Sequence, residues 1–222
     1  MSRVVVKVGG AVAATLGGQI RDLATTHAEV CVVHGAGPQI SDEMRRRGLE
    51  VEFVRGRRVT TEAAIDVVRE SFAVVNAALC EGIGPRAVPL FGDEIGLQAH
   101  RVPELGLVGD PLPSRPKAVE AALAAGLIPV VAPLAEGPLN VNADEAASAL
   151  AIGLGAEKLL FLTDVPGLIL EGSVVSAIAA GEADRLLDAD ELEGGIVPKL
   201  RAAVIAAKLG VKAEIGETAV VA

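Results

Sequence analysis

The chain contains no tryptophan and no tyrosine, and only four phenylalanines. Stacking of bases on aromatic rings is therefore not how it would hold a nucleotide or a nucleic acid strand. It is short of positive charge as well: 20 Lys and Arg stand against 29 Asp and Glu, a net charge of −9. That argues against sequence-independent nucleic-acid binding, which needs a basic face. It leaves small anionic substrates open, because local cations decide that. Cysteine is scarce. Cys31 and Cys80 form no CxxC pair, and Cys31 sits in the apolar run VCVV, as a reduced buried thiol would. His27, His34 and His100 are scattered without metal-ligand spacing. No run approaches the roughly 18 apolar residues of a membrane helix, although apolar residues make up 51% of the chain. Repeats and low-complexity linkers are missing too. Neither a GxxxxGK[ST] loop nor an HRD/DFG set occurs, which excludes the P-loop and protein-kinase routes to phosphate chemistry. VVVKV begins at the fourth residue, leaving no room for a signal peptide, and a cytoplasmic protein is expected.

What is present is an alternation of short β-branched runs with Ala-rich or amphipathic stretches. Its 222 residues suffice for one full core. Strands are expected over 3–8, 29–34, 87–91, 127–132, 158–162 and 211–215. Helices are expected over 38–47, 60–80, 114–125, 142–154 and 198–209, with a short one near 184–187 in an irregular acidic stretch. Residues 92–113 read as a hairpin excursion. The pattern predicts an α/β fold, a three-layer αβα sandwich with a mainly parallel central sheet. Ligands then bind outside the carboxyl ends of the strands, so the segments following those ends face one edge.

KVGG, HGAGP, the segment before NVNAD, and TDVPG face that edge; with the arginine cluster and Lys199 they make six candidate segments, and each has a plain reading. Lys7, before Gly9 and Gly10, is either a solvated strand-end lysine or a cation placed on a phosphate that the glycine amides also approach. Its neighbours Val6 and Val8 favour a nearby anion. Gly35-Ala36-Gly37-Pro38 is an ordinary strand–helix turn or an anion-binding helix N-terminus. Arg55, Arg57 and Arg58 precede a helix start; Arg55 and Arg57 read as solvated charges. Asn140-Val141-Asn142-Ala143-Asp144 leads into a helix that Asn142 caps, with Glu145 placed for a capping box. Lys199 lies in a first helical turn, where the dipole opposes it unless an anion is near. Thr163-Asp164-Val165-Pro166-Gly167 also reads as a plain turn.

Taken in order, KVGG, HGAGP, RGRRVT, NVNAD, TDVPG and GGIVPKL resemble the amino acid kinase family, and within it the branch that phosphorylates N-acetyl-L-glutamate. The resemblance runs from residue 4 to about 215. It implies one kinase domain, with 1–140 as substrate-binding and dimerisation lobe and 141–222 as nucleotide-binding lobe. It also implies transfer of the ATP γ-phosphoryl group to a side-chain carboxylate in arginine biosynthesis. Lys7 and Lys199 would flank the phosphoryl group and Asp144 would orient both. Gly35, Ala36, Arg58 and Asn140 would hold the substrate, Arg58 on its α-carboxylate. Gly9, Gly10, Thr163, Asp164 and Gly167 would face the nucleotide, with Mg²⁺ carried on ATP rather than in a protein cage. Ala36 stands where the branch usually has glycine. The branch's N-terminal helix and part of its C-terminal lobe have no counterpart, so a homodimer insensitive to arginine, with weakened ATP binding, is expected. The competing expectations are a sister kinase for another acidic or carrier-linked amino acid, and an inactive ligand-binding member.

Overall fold

Val4, Val5, Val6 and Val8 surround Lys7 with β-branched side chains that favour extended backbone, and all four valines are buried. They form the central strand of a computed structural model that describes residues 2–163, 165–189 and 191–222. Eight strands make the main sheet: β1 (Arg3–Val8), β2 (Glu29–His34), β3 (Ala87–Phe91), β4 (Ile128–Ala132), β5 (Lys158–Leu162), β6 (Ala177–Ala179), β7 (Lys212–Ile215) and β8 (Thr218–Val221). Their spatial order is β6-β8-β7-β5-β1-β2-β4-β3. Every pair is parallel except β7–β8. Because β1 pairs with β5, residues 1–140 and 141–222 share one sheet.

The helices are α1 (Gly17–Thr26), α2 (Gly37–Arg46), α3 (Glu62–Ile83), α4 (Lys117–Ala124), α5 (Ala143–Gly153), α6 (Ala180–Asp188) and α7 (Ile196–Lys208). Strand alternation sorts them into two layers. Val4, Val6 and Val8 pack with Ile20, Met44, Phe72 and Leu79 of α1–α3. Val5, Cys31, Val33 and Phe161 pack with Leu123, Leu150, Ala183 and Leu200 of α4–α7. The expected three-layer sandwich is therefore present. Lys7 continues the odd-numbered face of Val5, which carries it toward the α5–α7 layer.

Most expected elements recur within a few residues, and the differences have local causes. Strand 127–132 starts at Ile128, and α4 starts at Lys117 rather than Ser114 because Pro116 holds an extended backbone at its N-cap. The long helix α3 runs on to Ile83 and ends at Gly84, whose φ is +92°. Helix α1 has no counterpart in the sequence reading, and the stretch 171–194 holds strand β6 and all of α6. β8 follows the strand read as the last. The 92–113 excursion is real: Ala99–Arg101 pairs antiparallel with Val108–Pro111. That ribbon extends through Leu139–Val141 to Leu134–Ala135 as a second, four-stranded sheet. The basic cluster is a miniature hairpin, Phe53–Val54 against Arg57–Arg58. Arg55 and Gly56 both take positive φ at its tip, 50° and 78°, as a two-residue turn of type I′ requires.

Candidate active site

The carboxyl ends of β1 and β2, the N-termini of α2 and α5 and the Arg57–Arg58 strand enclose a cleft of about 270 Å³. Lys7, Gly10, Gly35, Ala36, Arg58, Asn140 and Asp144 all line it, so residues up to 137 positions apart meet as the strand-end rule anticipates.

Asp144 is the junction of the site. Asn142 caps α5 by accepting from the amides of Asp144 (2.9 Å) and Glu145 (3.3 Å), which fixes the first turn. Asp144 is 5% exposed, and its Oδ1 lies 2.8 Å from Lys7 Nζ while its Oδ2 lies 3.9 Å from Lys199 Nζ. The Lys7 contact is ionic but lacks the alignment of a hydrogen bond, for Oδ1 accepts none from the protein. Lys199 is the fourth residue of α7 and also donates to Gly195 O at 3.0 Å. Ser148 of α5 donates to Ala202 O of α7, setting the two helices in register beneath the ammonium groups.

The two glycine loops press together. A Cβ on Gly10 would fall 2.8 Å from Ala36 Cα, and Gln39 ties the first loop down by donating to Gly10 O at 2.9 Å. Ala36 has φ −142°, outside the left-handed region, so it meets no positive-φ penalty for its side chain. His34, at the end of β2, is fully buried edge-on to Phe72, and burial pushes its imidazole down to about 4, leaving it neutral.

Arg58 is 6% exposed. It donates to Ser41 Oγ (2.8 Å) and Gly37 O (3.0 Å), approaches Met44 Sδ, and lies over the Phe53 ring at 4.6 Å. None of these partners is a carboxylate. Burial, with Arg45 nearby, lowers its pKa to about 10, so it remains a cation at neutral pH. Asn140 donates from Nδ2 to Thr60 Oγ1 at 3.0 Å.

A second, larger cleft of about 1220 Å³ adjoins the first, between the hairpin tip and the start of α7, and Leu192, Gly194, Val197 and Pro198 line it. Thr163 and Gly167 are not on either wall. Gly167 is buried with φ +147°, where a Cβ would meet Thr218 Oγ1 at 2.5 Å, so this loop is stitched to β8. Asp164 lies outside the described residues. Among the described residues, no cluster of His, Cys, Asp and Glu could hold a metal ion.

Two readings need correction. Arg57 is not a solvated charge: it is bonded to Glu145 (3.1 Å) and Asp110 (2.8 Å) and lines both clefts. Glu145 accordingly spends its carboxylate on Arg57 rather than on a capping box. Thr60 carries no sequence signal beyond capping, because a threonine at a helix start is ordinary whether or not it is buried.

Fold and site together define an α/β protein with a lysine- and arginine-lined cleft where parallel strands meet helix N-termini. The chain belongs to the amino acid kinase family, whose family model matches residues 2–216. It is 42% identical to the acetylglutamate kinase of Rubrobacter xylanophilus, over 97% of this chain and 88% of that one. It is also 42% identical to that of Nocardia farcinica, over 85% and 69%. Among solved structures, smu.665 from Streptococcus mutans superposes with a TM-score of 0.89 at 26% identity, covering 98% of both chains. The carbamate kinase of Giardia lamblia bound to AMP-PNP shares the fold at a TM-score of 0.75 and 14% identity, over 99% and 98%.

Proposed function

We propose that this chain transfers the γ-phosphoryl group of ATP to the side-chain carboxylate of N-acetyl-L-glutamate, in arginine biosynthesis. The observation that carries the reading is Arg58, a buried guanidinium with no carboxylate partner among the described residues, facing the same cleft as Lys7 and Asp144, with Lys199 3.9 Å from the second oxygen of Asp144. A buried cation is costly without an anion, and a guanidinium matches the α-carboxylate of an amino acid with two parallel bonds. The curated relatives, acetylglutamate kinases at about 40% identity, supply the same substrate.

In this reading Arg58 and Asn140 hold the acceptor and the Gly35–Ala36 loop supports it. The side-chain carboxylate is already ionised at neutral pH, so no general base is needed. Catalysis is alignment plus charge neutralisation. Lys7 and Lys199 counter the charge of the phosphoryl group in flight, Asp144 holds both ammonium groups in place, and the amides of Gly9 and Gly10 meet phosphate oxygens. The adjoining cleft, between the hairpin tip and the start of α7, is the natural place for ATP and draws its wall from both halves of the chain. Mg²⁺ would neutralise the polyphosphate from the nucleotide itself, in keeping with a site built of lysines, arginines and amides.

We also propose a homodimer. The outer face of α3 exposes Ala73, Val74, Ala77 and Ala78, beside edge strand β3, an apolar surface suited to a second copy. Light scattering should give twice the chain mass, and a monomer at micromolar concentration would refute this.

Incubating the protein with Mg-ATP and hydroxylamine tests the reaction, because acyl phosphate is trapped as hydroxamate. Product is expected with N-acetyl-L-glutamate and not with L-glutamate or N-acetyl-aminoadipate. Equal yields from all three would favour a sister substrate, and no yield an inactive ligand-binding member.

A further inference from the structure

Thr60 is fully buried two residues beyond Arg58, and its hydroxyl has a fixed polarity. Thr60 Oγ1 donates to Arg58 O at 3.0 Å, a carbonyl that can only accept, which uses the single hydroxyl proton. The Asn140 amide lies 3.0 Å from the same oxygen. With its proton committed, Oγ1 offers only lone pairs, so Asn140 must turn Nδ2 toward it. The reverse orientation would set two acceptors against each other. The Thr60 backbone cannot yield. Its N–H donates to Leu105 O (2.9 Å), and its carbonyl accepts from Leu107 N (2.7 Å). Gly106, at φ +84°, passes so close that a Cβ would lie 2.4 Å from Thr60 O. Leu107 O in turn accepts from Asn140 N (2.9 Å), so one segment holds both residues. Asn140 Oδ1 takes no hydrogen bond from a described residue and is not sealed from the cleft that Asn140 and Arg58 both line.

We infer that Thr60 is a positioning residue that fixes Asn140 as a hydrogen-bond acceptor toward the cleft, so that the site selects acceptors bearing an N–H donor beside their carboxylate. The ligand class is N-acyl amino acids, favoured over O-acyl counterparts that lack the N–H. The inference rests on the acceptor site of the proposed function and adds what sets its selectivity. Without the Thr60 hydroxyl the Asn140 amide is free to turn over and present its NH₂ group, which an ester oxygen satisfies equally well.

The test is kcat/KM for N-acetyl-L-glutamate and for its ester isostere O-acetyl-2-hydroxyglutarate, with KM for ATP measured alongside. The variants are Thr60→Val, which removes the hydroxyl at constant shape, and Thr60→Ser, which keeps it. Wild type should prefer the amide by about tenfold or more, the value of one hydrogen bond. Thr60→Val should bring the ratio toward unity with KM for ATP within about twofold of wild type, and Thr60→Ser should restore the preference. A purely structural threonine would lower both substrates together and leave the ratio intact. If Thr60→Val does not fold, Thr60→Ala removes the same hydroxyl and carries the same expectation. A wild-type enzyme indifferent to the N–H, or a hydroxyl-less variant with the wild-type ratio, overturns the inference alone. Inactivity of the wild type on the amide would overturn the proposed function and this inference with it.

Discussion

Two ammonium groups share the carboxylate of Asp144, and they share it unequally. Lys7 sits 2.8 Å from Asp144 with both side chains under a tenth exposed, whereas Lys199 stands at 3.9 Å from the other oxygen. Removing Lys7 therefore leaves a buried carboxylate poorly compensated, while removing Lys199 keeps the closer pair. Lys7→Ala and Lys199→Ala should each lower kcat by about a hundredfold or more, the usual worth of one transition-state donor. Lys7→Ala should in addition lower Tm, whereas Lys199→Ala should not. Steady-state rates with thermal melts check both, and near-normal turnover in either variant would remove that lysine from the reaction. At this scale the sequence was most readable where a residue conflicts with its surroundings: a lysine inside a valine strand, and another in a first helical turn. Arg57 and Thr60 were illegible because their meaning lies in partners far along the chain, Glu145 and Asp110 for one and Asn140 for the other.

Among the elements, the Phe53–Arg58 hairpin carries the most function for its length. Two-residue strands offer no periodicity, so only the Arg-Gly turn could have betrayed it. Its strand Arg57–Arg58 sends one guanidinium into the cleft beside Lys7 and Asp144 and anchors the other on α5 through Glu145. Burial pushes the Glu145 carboxyl up, and Arg57 opposes that shift. Arg57→Leu should release the hairpin from α5. KM for the acyl amino acid should rise roughly tenfold at saturating ATP, as expected for a charge-assisted bond, with kcat little changed. An unaltered KM would mean that Arg58 and the Phe53 ring seat the hairpin unaided. Long elements behaved differently in the reading. β1, β2, β3 and β5 are marked by short apolar runs, broken only by Lys7 in β1, and are legible to the residue. Helix α1, with its two glycines and polar face, has no comparable signature.

For the molecule as a whole, the alternation of short apolar strands with helices along the chain pointed to the three-layer class, and β1 and β2 bury both faces accordingly. The same burial creates an acid liability. His34 titrates near 4 in the fold against about 6.5 when exposed, since burial disfavours its charged form. The unfolded chain therefore binds the extra proton first. The fold has its full stability above pH 6.5 and loses on the order of 3 kcal/mol as pH falls toward 4. Urea titrations across that range should show the slope in wild type and a shallower one in His34→Asn. Equal slopes would assign the acid sensitivity to other groups.

The contact between Gly10 and Ala36 reaches beyond packing. Both loops line the cleft, in the proposed function one toward the phosphate and the other toward the acceptor, and a missing side chain is all that separates them. Positions 10 and 36 are thus mechanically coupled. A larger residue at 10 has to displace the backbone at 36, so in the proposed function a change at the phosphate loop is felt at the acceptor loop as well.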